Sequence, residues 1–315
     1  MLTRLFNNIS IQAGIITGLS LILLSGVSVY FIEIQDLRLE FLNFNLVFGT
    51  SLIKLIFVFT ISIVALIFAS NVNFLGIFPA AFQQSMLFGF SFLLISQFQV
   101  SLNLILALPL ILLAFRKIFK IGMLDDPRHL LFDIGLISGI ISLFYIQSVI
   151  LICFCWTASL IYRSFNIKTI IIPVIGLFAA YTSAFFLSYL WPEFEFLTIL
   201  KNQYSQLKWG FASHSGEIGV KLLGLLLLGF VAMLNTLKNI GKATVFKRQV
   251  LSLCIALLLI GILWAASQES SDQLLVFMIF PIGIILYDFI LSLKKWWQQD
   301  LIYLILILNL VLVLL

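Results

Sequence analysis

The sequence predicts an all-α polytopic transmembrane helix bundle of about 11 helices, with its N-terminus in the cytoplasm. Three observations carry that expectation. Of 315 residues, 62% are hydrophobic and only 10% are charged, whereas a soluble domain uses about a quarter charged residues to face water. Apolar runs long enough to cross a bilayer recur along the chain, separated by short polar clusters. The basic residues then fall mainly on one side when those runs are treated as alternating crossings.

The first run, Ile11–Ile32, follows Arg4. It is longer than the apolar core of a secretory signal and ends at no small-residue cleavage site, so it reads as a retained helix. Thr50–Ser70, Pro79–Ser96 and Ser101–Phe119 come next. Leu130–Ile146 and Ser148–Tyr162 read as two short helices or as one broken helix, because the connection around Gln147 is short and hardly polar. The remaining runs are Thr169–Leu190, Ile218–Thr236, Val250–Ala266, Leu274–Ser292 and Leu301–Leu315, the last ending near the outer face. No repeat or soluble module interrupts them, so residues 1–315 read as a single membrane-embedded domain.

Orientation rests on the cations. With the N-terminus inside, 13 of the 18 basic residues lie in the cytoplasm, leaving Arg38, Lys54, Lys201, Lys208 and Lys221 outside. Counting Leu130–Tyr162 as one crossing would invert every later loop and spoil the asymmetry, which favours two crossings. Trp296 and Trp297 follow Lys294 and Lys295 at an inner boundary, where indole and ammonium groups suit the headgroup layer. Cys153, Cys155 and Cys254 all lie in apolar runs and read as small packing residues rather than as a disulfide framework or zinc site.

Chemistry is sparse. The first outer loop holds Glu33, Asp36 and Glu40 with Arg38 between them. Their spacing of three to four would place the carboxylates on one face of a short helix. Such a face would bind a divalent metal or act as a base on a lipid phosphate carried by Arg38; it also reads as a solvated turn. The long outer loop, Trp191 to Glu217, contains His214 with Glu217 three residues on. That histidine is a weaker candidate for proton transfer, because no nucleophile or metal triad accompanies it. In the inner loop, Arg116, Lys117 and Lys120 are candidates for lipid-phosphate binding and serve equally as topology anchors. Asp125 and Asp126 suit a turn before Pro127, since aspartate starts turns and proline stops a helix; the pair also reads as a site for a metal or a cytoplasmic partner. Asp133 and Asp288 sit near the inner ends of their runs, so no ionisable group falls in mid-membrane, which argues against ion-coupled transport. Gln83 and Gln84 read as a cross-link between helices by default, or as the lining of a cavity.

Three stretches carry a resemblance: Leu113-Ala-Phe-Arg-Lys-Ile118, Leu131-Phe-Asp-Ile-Gly-Leu-Ile-Ser-Gly-Ile-Ile-Ser-Leu-Phe-Tyr145 and Ile172-Pro-Val-Ile-Gly-Leu-Phe178. Across about residues 70–190 the chain resembles an uncharacterised family of polytopic inner-membrane proteins of Bacteroidota. That resemblance implies a multi-pass protein of the bacterial inner (cytoplasmic) membrane and carries no established activity. More distantly, the order of helices and loops resembles the C-type glycosyltransferases, which use polyprenyl-phosphate-linked sugars and place a carboxylate in the first outer loop. The chain is short for that class and lacks its large periplasmic domain.

Three function classes follow as expectations. The first is a non-catalytic scaffold or subunit of an envelope membrane complex, partnered by membrane lipids and other inner-membrane proteins. The second is a glycosyltransferase-like enzyme acting with a polyprenyl-phosphate lipid, the one reading that calls for a cofactor, a divalent metal. The third is a transporter of lipid or hydrophobic solute. No resident metal and no nucleic-acid partner is expected.

Overall fold

The computed structural model describes residues 102–190, 216–266 and 275–314 except 294, with parts of 60–70 and 197–201. Among the described residues the protein is helices joined by short turns, with no strand. Its α-helices are α1 (Leu102–Lys120), α2 (Arg128–Phe144), α3 (Ile150–Ile161) and α4 (Ile167–Leu190), followed by α5 (Gly216–Asn239), α6 (Val245–Ala266), α7 (Leu275–Ser292) and α8 (Trp296–Leu314). Among the described residues two stretches are long and apolar enough to cross a bilayer, Ile167–Leu190 and Val245–Trp264. The helical fragments of 60–70 contribute Val64 and Phe68 to the same core. The expected helices before residue 60 and at Pro79–Ser96 lie outside the described residues.

Several helices run past the apolar stretches that predict them. The eighth begins at Trp296 rather than Leu301, and the sixth at Val245 rather than Val250. Backbone hydrogen bonding does not stop where hydrophobicity does, and amphipathic residues at a helix end suit a polar boundary.

The ambiguous stretch Leu130–Tyr162 is a tight antiparallel hairpin. Tyr145 takes an extended conformation (φ −150°, ψ 91°) and ends α2. A 3₁₀ turn, Ile146–Val149, then leads into α3. Ser138 and Ser148 each donate a side-chain hydrogen bond to the other's carbonyl, at 2.9 and 3.0 Å. Ten residues of continuous helix would hold these serines about 15 Å apart, so the chain must double back. Twelve α-helical residues plus four of 3₁₀ rise about as far as the 17 of α2. The return is therefore complete, and the Tyr162 ring at the end of α3 lies against Gly122, just beyond α1.

The hairpin makes a prediction. Both serines are fully buried, so Ser138→Ala and Ser148→Ala should each cost about 1 kcal/mol. Thermal unfolding in mild detergent checks this, and unchanged midpoints in both variants would remove the serine clasp from the account of the turn.

The α3–α4 connection is equally specific. The backbone N–H of Ser164 donates to the Ser159 carbonyl (3.0 Å) and that of Arg163 to the Leu160 carbonyl (3.2 Å). Arg163 sits in the left-handed region, at φ 58°. This is a Schellman close, with arginine where glycine would fit without strain. Asn166 then opens α4, because Thr169 donates both its backbone N–H and its hydroxyl to the Asn166 carbonyl.

Helix α2 packs more extensively against α4 than any other pair of described helices do. Small residues make this possible: Gly135 and Gly139 on α2 face Pro173, Gly176 and Ala180 on α4. With no side chain between them the backbones meet directly, as in small-xxx-small helix pairs. Trp156 of α3 donates its indole N–H to the Ile170 carbonyl at 3.2 Å, in the turn of α4 preceding Pro173.

Aromatic rings join this half of the bundle to α7. Phe115 stacks on Phe280 with centroids 4.5 Å apart, and Phe68 meets Phe280 edge-on at 5.0 Å. Tyr145, at the far end of α2, stacks on Phe277 near the start of α7 at 6.0 Å. Because α2 ends and α7 begins at this stack, the other ends of both helices, Arg128 and Ser292, lie away from it.

Candidate functional site

The charged groups of the described residues gather at one end of the bundle, opposite the Tyr145–Phe277 stack. There α1 ends and α2 begins, and the Lys117 ammonium meets the Asp133 carboxylate at 2.6 Å. Across the bundle α6 begins where α7 ends, and Lys247 meets Asp288, also at 2.6 Å. The second pair is the more enclosed: the Asp288 side chain is 10% exposed and that of Lys247 29%.

Neutral polar groups tie the same end together. Asn235 of α5 donates its amide to the Ser292 hydroxyl of α7 at 2.9 Å. Gln299 of α8 donates its amide to the Ile290 and Leu293 carbonyls, at 3.2 and 3.1 Å, and so satisfies orphan acceptors at the end of α7. In the α1–α2 loop, the Asp126 carboxylate accepts the backbone N–H of Arg128 at 3.3 Å and pairs with its guanidinium at 3.2 Å. Asp126 thus holds the turn that its position before Pro127 predicts, and that turn leads into α2.

Most sequence candidates for catalysis lie elsewhere. Glu33, Asp36, Arg38, Glu40 and His214 fall outside the described residues, as do Gln83 and Gln84. Glu217 is the second residue of α5, where only the backbone is described. The three cysteines are free thiols within α3 and α6. Among the described residues no three His, Cys, Asp or Glu side chains come together in a way that would hold a metal ion.

The basic candidates are placed at the end of α1. Arg116, Lys117 and Lys120 occupy its last turns, with Lys117 committed to Asp133. Neither that commitment nor the Lys247–Asp288 pair is legible in the sequence as a pair. A signal for both is present: an aspartate inside an apolar run has to find a cation or be costly to bury. The partner's identity needs the fold.

At the opposite end the Tyr145 hydroxyl and the Gln147 side-chain oxygen are buried and make no hydrogen bond among the described residues. Chemically, the polar groups that pair among the described residues amount to helix ties: ion pairs, a serine clasp and several side-chain caps. Comparisons with protein-family models, curated proteins and solved structures returned no match.

Proposed function

We propose that the chain is a multi-pass bacterial inner-membrane protein of about 11 helices, cytoplasmic at its N-terminus, acting as a non-catalytic scaffold or subunit of an envelope membrane complex. The observation that supports it most is the state of α4. This helix is the longest and most apolar of the candidate spans, yet only 22% of its apolar window is buried. Its last third touches α2 through little more than Ala184, which packs against Leu143: from Thr182 to Leu190 only Ala184 is buried, while Phe185, Phe186, Leu187, Tyr189 and Leu190 are all exposed. A helix this apolar, with so much of its surface exposed among the described residues, belongs in hydrocarbon. Its projecting aromatic end offers a neighbouring membrane protein large, rigid contact area of the kind that anchors interfaces.

The polar groups support the same reading from the other side. Among the described residues, those that converge hold helices to each other. The resemblance to polytopic inner-membrane proteins of Bacteroidota favours the cytoplasmic membrane, and the excess of basic residues in the inner loops favours the orientation.

Native mass spectrometry of the protein, extracted from its own membrane in mild detergent, tests the proposal. The expected result is a stoichiometric protein subunit that disappears when Phe186→Ser and Leu190→Ser are combined, while the chain keeps its own unfolding temperature. A discrete adduct with the mass of a polyprenyl-phosphate sugar, and no protein subunit, would replace the scaffold with the glycosyltransferase-like enzyme.

A further inference from the structure

The charged end of the bundle combines two features that have no shared use in water. We propose that it is a docking surface for anionic phospholipid headgroups. The proposal rests on the membrane reading above and adds to it the chemical class of lipid.

Three loops build the surface. Between α3 and α4, Arg163 and Lys168 bracket Phe165 and Ile167, which are 47% and 70% exposed. Between α5 and α6, Lys242 and Arg248 bracket Val245, 63% exposed. Between α7 and α8, Lys295 precedes the exposed Trp296 and Trp297. Each loop therefore offers apolar side chains and cations side by side.

Even with Asp125 and Asp300 counted, basic residues outnumber acidic ones at this end among the described residues. Asp133, Asp288 and Asp126 are engaged by Lys117, Lys247 and Arg128. Arg163, Lys168, Lys242, Arg248 and Lys295 are all exposed, and none forms an ion pair among the described residues. What complements this surface is negatively charged above and apolar beneath. A leaflet of anionic phospholipid has that layering: acyl chains receive the apolar tips, and phosphates receive the cations.

Position points to lipid over an acidic protein. Two of the loops enter the candidate spans, with Lys168 in the first turn of α4 and Arg248 in the first turn of α6. Cations at the ends of spanning helices sit at headgroup depth, where each favours an anionic over a neutral headgroup by about fivefold at low salt.

The test uses the full chain in phosphatidylcholine vesicles, with tryptophan fluorescence quenched by brominated phosphatidylglycerol or brominated phosphatidylcholine. Trp296 and Trp297 report on this end. Phosphatidylglycerol should displace phosphatidylcholine with a relative binding constant of at least about five at low salt. That constant should fall towards one in about 0.5 M salt, where screening acts within a few ångströms. In a variant combining Arg163→Gln, Lys168→Gln, Lys242→Gln, Arg248→Gln and Lys295→Gln it should be close to one at any salt, with unfolding in phosphatidylcholine unchanged. A constant near one in the unaltered chain overturns the proposal, as does a preference that survives in the variant. Should the variant not fold, the salt dependence of the unaltered chain decides alone. Alkaline carbonate washing separates the two readings: release from the membrane overturns the membrane reading itself, whereas retention without lipid preference overturns only this inference.

Discussion

Replacing Gly135 with leucine is expected to abolish folding of the α2–α4 pair. A Cβ on Gly135 would collide with the Pro173 carbonyl oxygen and lie 2.7 Å from its carbonyl carbon. These are backbone atoms of a packed helix, so they cannot swing aside as a side-chain tip would. On the other helix, a Cβ on Gly176 would collide with the Phe132 carbonyl oxygen. The helices therefore have to separate, which opens the most extensive helix–helix packing among the described residues. A cost of at least about 3 kcal/mol is expected, the upper range for overpacking. The readout is the monodisperse fraction and the unfolding temperature in mild detergent.

The other glycines make the prediction graded. Gly139→Ala meets the Ala180 Cβ at 2.6 Å, so a smaller but clear loss, about 1–2 kcal/mol, is expected. Gly229→Ala meets nothing nearer than Ile282 at 3.9 Å, inside α5. There the gain in helix propensity, up to about 1 kcal/mol, should win in the helix interior. Gly241→Ala finds open space and should stay within about 0.5 kcal/mol. If all four substitutions had similar effects, close backbone approach would not be what holds α2 to α4.

The glycines also mark what a sequence can and cannot convey about this fold. Gly135 and Gly139 stand four apart in plain view, but that spacing does not reveal that the facing stripe is Pro173, Gly176 and Ala180. Helix existence is easier to read, because each run that reaches across a bilayer has to be helical to satisfy its own backbone. The expected run Thr169–Leu190 accordingly differs from α4 by two residues at one end. Hydrophobicity does not mark where a helix ends when the flanking residues are polar but helix-compatible, so Gln298, Gln299 and Asp300 extend α8 beyond its apolar run. The turn at Tyr145 lies between these cases: its place is legible, and the Ser138–Ser148 pairing makes the reversal certain. At the candidate site, the role of Asp126 follows from its neighbour Pro127. Lys117 reads as a lipid ligand in the sequence because its partner is 16 residues away in the chain.

Breaking the Lys247–Asp288 pair should be costly, and unequally so from its two sides. The pair joins the first turn of α6 to the last turns of α7. Lys247→Met leaves a carboxylate whose side chain is only 10% exposed, with its ion-pair partner gone. An uncompensated buried charge of this kind costs about 3–5 kcal/mol. Asp288→Leu leaves an ammonium that is 29% exposed, on a flexible stem long enough to turn towards water. That variant should lose less, about 1–2 kcal/mol, because a snorkelling lysine recovers much of its solvation. Combining the two removes both charges and replaces them with apolar side chains in an apolar neighbourhood. The double variant should then recover most of what Lys247→Met loses, since the desolvation of the pair cancels much of its attraction. A double-mutant cycle on unfolding in detergent measures this coupling directly. Additive losses, with the double variant the least stable of the three, would mean that each side chain acts through separate neighbours. A strong recovery would mark the pair as a device for aligning α6 with α7, whose contribution is specificity of register at little net gain in stability.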